Sequence, residues 1–207
     1  LLVVGGLEFA PDWTIWASIP LTFLWVIGIT NAVNLLDNMD GLAPGIAAIS
    51  ALFLAVFAGL VGYADVSLIA LCLVGTAGGF LVYNFHPASV FMGDCGSLFL
   101  GYVIAALTLK VHSAVPETAL FAVMVVPALV VAVPIFDTTL VTLSRIWNGR
   151  PISEGGRDHS SHRLVYLGLS ERQAVLALYG VSSAFGGLAV LFYFAEVRLF
   201  YAVSAYL

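Results

Sequence analysis

Residues 42–83 read LAPGIAAISALFLAVFAGLVGYADVSLIALCLVGTAGGFLVY, with Asp65 the one charged side chain in the stretch. It contains two apolar runs, about Leu42–Gly62 and Val66–Tyr83. Each is long enough to cross a bilayer as a helix, at roughly 20 residues per crossing. Outward from this pair the pattern recurs at about Trp13–Thr30, Ser97–Leu109, Ala119–Leu143 and Ala174–Ala195. Leu1–Leu7 reads as the tail of an earlier span and Leu199–Leu207 as the start of a later one. The expected fold class is therefore all-α, a polytopic transmembrane bundle of about six complete spans. Residues 1–207 are read as one integral-membrane domain. The chain opens on Leu1 and closes inside an apolar run, so it reads as a fragment of a longer protein.

Composition agrees. A mean hydropathy of +1.06, with 61% hydrophobic and 9% charged residues, excludes an ordinary soluble domain. Ser97–Leu109 is short for a span, so it is expected either to tilt or to give its first turn to the preceding loop. Pro127 and Pro134 are expected to kink the Ala119–Leu143 segment. Cys72 lies in an apolar span and Cys95 in a polar loop, so no disulfide is expected.

Of seven Lys and Arg residues, five (Arg145, Arg150, Arg157, Arg163, Arg172) fall between the last two segments. The positive-inside tendency puts that loop in the cytoplasm. Alternating sides backwards then returns three polar clusters to the same face. These are NAVNLLDNMDG (31–41), NFHPASVFMGDCGS (84–97) and GGRDHSSHR (155–163).

In the first cluster Asn31, Asn34, Asp37 and Asp40 recur every third residue. Neighbours in such a series share a helix face. Gly41 and Pro44 mark a break and helical restart after Asp40. Asn34 and Asp37 are expected to point into a cavity, with Asp40 at its rim. In the second cluster Pro87 stops the helix, and Gly93 and Gly96 flank Asp94. Asp94 is expected just before a helix N-terminus, where free N–H groups favour phosphate. A carboxylate beside an anion site needs a cation between them, which argues for Mg²⁺ bridging Asp94 and a diphosphate. Phe91 reads either as a base-stacking ring or as a packing aromatic. Asp137 lies inside a span, where an ionisable residue is costly; function and a structural polar contact are both open. His159 and His162 lack a nearby third soft ligand for zinc. Together with Arg157 and Arg163 they suit phosphate binding or proton transfer. Ser170 before Glu171 and Arg172 reads as an ordinary cap leading into the last helix.

The order and spacing of NAVNLLDNMDGLA, GFLVYNFHPASVFMGDCGSLFLGY, PIFDTTLV and RPISEGGRDHSSHRL resemble the polyprenyl-phosphate N-acetylhexosamine-1-phosphate transferases, glycosyltransferase family 4. The branch most similar is that of the undecaprenyl-phosphate N-acetylglucosaminyl 1-phosphate transferases. The resemblance implies transfer of a sugar 1-phosphate from a UDP-sugar to a polyprenyl phosphate, with release of UMP. It implies Mg²⁺, with Mn²⁺ an acceptable substitute, held by Asp94 and Asn34. It places Phe91 against uracil, Asn38 and Asp40 near the nucleoside, and Asp37 and Asn84 along the uridine diphosphate pocket. His159, His162 and Arg163 match the family's cytoplasmic histidine motif. The family's upstream tandem Asp pair is absent from these residues, and Ser161 stands where another His is common.

The partners expected are a UDP-sugar, a polyprenyl phosphate and the lipid bilayer, with a homodimer admissible and nucleic acid not expected. The location expected is the bacterial plasma membrane, with the active site cytoplasmic. A phospho-MurNAc-pentapeptide transferase is the alternative within the family. An ion-coupled transporter is the alternative outside it, weakened because most of the acids lie at span ends and no repeat is evident.

Overall fold

The computed structural model describes residues 15–112, 120–152 and 156–204. They form α1 (Ile15–Leu35), α2 (Leu42–Val61), α3 (Ala64–Asn84), α4 (Gly93–His112), α5 (Leu120–Val130), α6 (Ala132–Trp147), α7 (Ser160–Tyr166) and α8 (Glu171–Ser204). The described residues contain no strand. Five helices, α1 to α4 and α8, are long and apolar enough to cross a membrane. The sixth apolar segment is divided at Val131, between α5 and α6, as its two prolines lead one to expect.

That break has a specific remedy. Pro134 has no N–H to give the carbonyl of Val130, four residues earlier. Ser50 of α2, itself 2% exposed, donates its hydroxyl to that carbonyl at 2.9 Å. Left without a donor in an apolar surrounding, that carbonyl would cost several kcal/mol, roughly the desolvation of one peptide group.

Helix α1 lies along α4, and α2 along α3 and α8. The α1–α4 approach is set by Gly101. A Cβ at that position would stand 2.8 Å from Thr30 Cα and 2.9 Å from the Thr30 carbonyl oxygen. Nearer the opposite end, Trp25 Nε1 donates to Thr108 Oγ1 at 2.9 Å. The pair is thus held close over most of its length.

Three of the differences from the sequence reading at helix ends bear on the site or on the number of spans. Helix α1 runs on from Thr30 to Leu35, because Ala32, Val33 and Leu36 are buried and draw the last turn into the core. Helix α4 begins at Gly93 and is 20 residues long, so Asp94 sits in its first turn rather than before it. An acid there is stabilised by the free N–H groups and the dipole. The last apolar run is no separate span: α8 continues unbroken through Leu199 to Ser204. Leu1–Leu7 and residues 113–118 of the loop after α4 lie outside the described residues.

Replacing Gly101 by Leu should force α1 and α4 apart and destabilise the fold by about 1–3 kcal/mol. Thermal unfolding in detergent micelles checks this; an unchanged midpoint would show that the helices are not in van der Waals contact there.

Candidate functional site

The α1–α4 contact brings the first two polar clusters together. Asn34 Nδ2 donates to Asp94 Oδ1 at 3.1 Å and to Ser97 Oγ at 2.8 Å. Asp37 lies just beyond α1. Burial raises its carboxyl above the usual range, and the charges of Asp94 and then Asp40 push it further. Three carboxylates therefore converge at this end of the bundle. Asn31 is exposed, its amide donating to the carbonyl of Ile27 on its own helix, and it does not join them.

Other members of these clusters fasten the loops. Gly41, at φ 78°, turns the chain into α2 in a conformation that disfavours a side chain. Its N–H donates to Asn84 Oδ1 at 3.0 Å, and Asn84 Nδ2 donates to the Val90 carbonyl at 2.8 Å. Asn84 is 2% exposed, so its amide joins the α1–α2 turn to the α3–α4 loop from beneath. Asp40 Oδ2 accepts from the N–H of Ala88 at 3.0 Å and lies 3.2 Å from His86 Nδ1. His86 Nδ1 is also 3.0 Å from Glu171 Oε2, and Arg172 Nε donates to the His86 carbonyl. Ser170 and Gln173 exchange hydrogen bonds as a capping box, so the cap read from the sequence is present. Phe91 is 76% exposed and lines an apolar groove with Phe80, Met92 and Phe99, apart from the polar pocket described below.

The third cluster docks onto α6. Val133, Asp137, Val141 and Arg145 form its buried face at a spacing of four. Asp137 Oδ2 is 2.7 Å from His159 Nδ1, while Oδ1 accepts from the N–H of Ser160 at 2.7 Å and its hydroxyl at 2.6 Å. Asp137 thus caps α7 from outside the helix and holds the His159 ring by its Nδ1 edge. Arg145 donates to both oxygens of Asp158 at 2.8 Å and to the Ile152 carbonyl at 2.7 Å. Arg163 donates to the Asp158 carbonyl and to Ser144 Oγ, which bind it to the loop and α6. Ser161 donates to Asn38 Oδ1 at 2.6 Å, tying α7 to the α1–α2 turn.

Between these pieces lies a cavity of about 320 Å³ lined by Asn38, Arg157, His162, Tyr166 and Glu171, among others. Burial, with the charges of His159 and Arg157, lowers His162 below the ordinary imidazole value, leaving it neutral at pH 7. A second, apolar groove runs between α1 and α6, lined by Leu21, Leu24, Trp25, Gly28, Ile135 and Thr138 among others.

The metal-capable atoms around Asp94 are oxygens: its own carboxylate, the Ser97 hydroxyl and the nearby Asp37 carboxylate, while Asn34 presents its amide nitrogen and would offer an oxygen only with that amide turned over. Among the described residues no three His, Cys, Asp or Glu side chains form a closed metal cage. That donor set suits Mg²⁺, which takes one or two carboxylates and keeps water and phosphate oxygens for the rest. It does not suit zinc.

Sequence reasoning counted Arg145 only towards topology, although it shares the four-residue spacing of Asp137. It read Glu171 as part of a helix entry, counted His86 only among the polar residues of its cluster, and gave Ser160 and Ser161 no role. Arg145 finds its partners 7 and 13 residues away, whereas those of Ser160, Ser161 and His86 lie 23 to 123 residues away in the chain.

The sequence profile described as Glycosyl transferase family 4 matches residues 3–112. The probable undecaprenyl-phosphate N-acetylglucosaminyl 1-phosphate transferase of Bacillus subtilis is 44% identical over 184 residues, covering 89% of this chain and 51% of the relative. The decaprenyl-phosphate N-acetylglucosaminephosphotransferase of Mycobacterium leprae is 35% identical, covering 86% and 49%. A phospho-N-acetylmuramoyl-pentapeptide-transferase of Rubrobacter xylanophilus is 36% identical, covering 82% and 48%. The chain spans about half the length of these relatives.

The hydrogen bonds from Arg145 hold the Asp158 carboxyl down at about 2. Because the folded value is depressed, the pair's stabilisation is complete above the unfolded carboxyl value of about 4 and is lost as pH falls through about 2. Hydrogen exchange around 156–160, corrected for intrinsic rate, should rise over that window. Asp158→Asn should start high and stay flat.

Proposed function

Because the chain belongs to glycosyl transferase family 4, we propose that the protein transfers a sugar 1-phosphate from a UDP-sugar to a polyprenyl phosphate and releases UMP. GlcNAc 1-phosphate is the group we assign. The observation that carries this reading is the Asn34–Asp94 contact at the bundle end where three polar clusters meet. The names of the Bacillus and Mycobacterium relatives support the sugar and the lipid.

Phosphoryl transfer asks the protein for positioning and charge neutralisation more than for covalent chemistry. Asp94 would hold Mg²⁺, with Mn²⁺ as substitute, and Asn34 would join it through Oδ1 once its amide turned from the hydrogen bonds it donates to Asp94 and Ser97. When bound, the ion offsets the repulsion between the two phosphorylated substrates. Arg157 lines the polar pocket and is the cation placed to take diphosphate oxygens. Neutral His162 faces the same space and exchanges hydrogen bonds with donor oxygens. His159, fixed through Nδ1 by Asp137, sets the start of the helix that carries His162. Phe91, three residues before Asp94, offers an exposed ring to the base. The apolar groove between α1 and α6 admits the polyprenyl chain from the bilayer.

A lipid-phosphate oxygen attacks the sugar-bearing phosphorus as the bond from that phosphorus to the UMP oxygen breaks. Asp37, whose carboxylate binds a proton more tightly than an ordinary one because burial raises it, accepts the proton of the incoming phosphate in its ionised form. Asp40 and Asn84 hold the loops that frame this site. We assign the site to the cytoplasmic side of a bacterial plasma membrane, where the arginines between α6 and α8 follow the positive-inside tendency.

The test is a panel of radiolabelled UDP-sugars given to membranes containing the full-length protein, scored as lipid-extractable label. UDP-GlcNAc should label the lipid, and labelling from the muramyl-pentapeptide nucleotide alone would move the assignment to that branch. Asp94→Asn should lower UMP release by about 100-fold or more; turnover surviving this change and thorough chelation would end the proposal. Cys95, exposed beside Asp94, reports sidedness. With Cys72 and every cysteine outside residues 1–207 replaced by Ser, an impermeant maleimide should leave Cys95 untouched in right-side-out vesicles and modify it in inverted ones. Modification from outside would reverse the orientation.

A further inference from the structure

We propose that Glu171, braced by His86, reads the sugar of the donor, its carboxylate accepting hydrogen bonds from hydroxyl groups of the hexosamine ring. This rests on the transferase reading above and adds a specificity residue to it.

Among the described residues lining the 320 Å³ cavity Glu171 is the single acid, and the other polar groups are Arg157, His162, Asn38 and Tyr166. A carboxylate repels the diphosphate, so it has no place against the phosphates that Arg157 attracts. It is instead a strong acceptor for neutral O–H donors, and a hexosamine presents several. Met39 and Val165 supply the apolar wall on which a sugar ring packs. A volume of this size lies within the range of small-molecule sites.

The side chain is also held. Its Oε2 lies 3.0 Å from His86 Nδ1, while the side chain remains half exposed. His86 is fixed in turn by Asp40 at 3.2 Å and by Arg172, which donates to its carbonyl at 2.9 Å. The capping box of Ser170 and Gln173 sets the first turn of α8, from which Glu171 projects. One imidazole thus ties the α1–α2 turn, the α3–α4 loop and the head of α8 to the pocket wall. His86 acts here as a positioning residue, through Glu171.

The experiment uses the full-length enzyme in detergent or membranes with Glu171→Gln and His86→Ala. It measures kcat/KM for UDP-GlcNAc and for its C4 epimer UDP-GalNAc, together with inhibition by UMP. Glu171→Gln should lower kcat/KM for UDP-GlcNAc by about tenfold or more and the GlcNAc:GalNAc preference by about fivefold. UMP, which lacks the sugar, should inhibit as before within about twofold. His86→Ala should shift the same ratio in the same direction by a smaller factor. An unchanged preference in Glu171→Gln overturns the proposal, as does UMP inhibition that weakens in step with donor turnover. Wild-type enzyme that releases no UMP from any UDP-sugar would instead refute the transferase reading on which the proposal stands.

Discussion

The close approach of α1 and α4 at Gly101 and Thr30 is the constraint on which the site depends. Two helices separated by a side chain at this crossing could not place the amide of Asn34 within hydrogen-bonding reach of Asp94 and Ser97. In lipid the hydrophobic effect contributes little to helix association, so small residues and interhelical hydrogen bonds decide which helices touch. Gly101 supplies the first, and Trp25 with Thr108 supplies the second. The chemistry at the mouth of the bundle is thereby set by packing deep within it.

The polar end is organised by two kinds of charge arrangement. Around Asp94, carboxylates accumulate, and burial together with their mutual repulsion raises Asp37. Around α7 the acids have their partners: Arg145 pairs with Asp158 in two parallel hydrogen bonds, and Asp137 is held by the His159 ring and by the N–H and hydroxyl of Ser160. The first arrangement is poised for an external cation, whereas the second is complete in itself and holds the histidine helix still. Preorganisation of this kind lets a site stabilise transferred charge without rearranging.

The broad plan was legible in the amino-acid string. Apolar run lengths marked the spans, the prolines marked the division at Val131, and counting crossings brought three distant polar clusters to one end. The bonds Asn34–Asp94, Asp40–His86 and Asn38–Ser161 are the physical form of that count. What escaped was the division of labour inside each cluster. Asp37 and Asp40 are chemically alike and three residues apart, yet Asp40 meets a backbone N–H and an imidazole from a loop 46 to 48 residues on. No local pattern reports a partner at that distance. Helix ends were misplaced for a related reason: tertiary burial of Leu36 and the dipole's tolerance for Asp94 overrode the loop-like composition of both stretches.

Asn84 carries a lesson for anyone who maps this protein by loss of function. Its amide is a rivet with both ends already hammered, one on the Gly41 nitrogen and one on the Val90 oxygen. Any replacement would strand buried peptide groups on two loops at once and collapse the frame around the chemistry. A mutagenesis screen would therefore score it among the most sensitive positions, indistinguishable from a true ligand contact. Here sensitivity measures how the walls are joined, and says nothing about what they enclose.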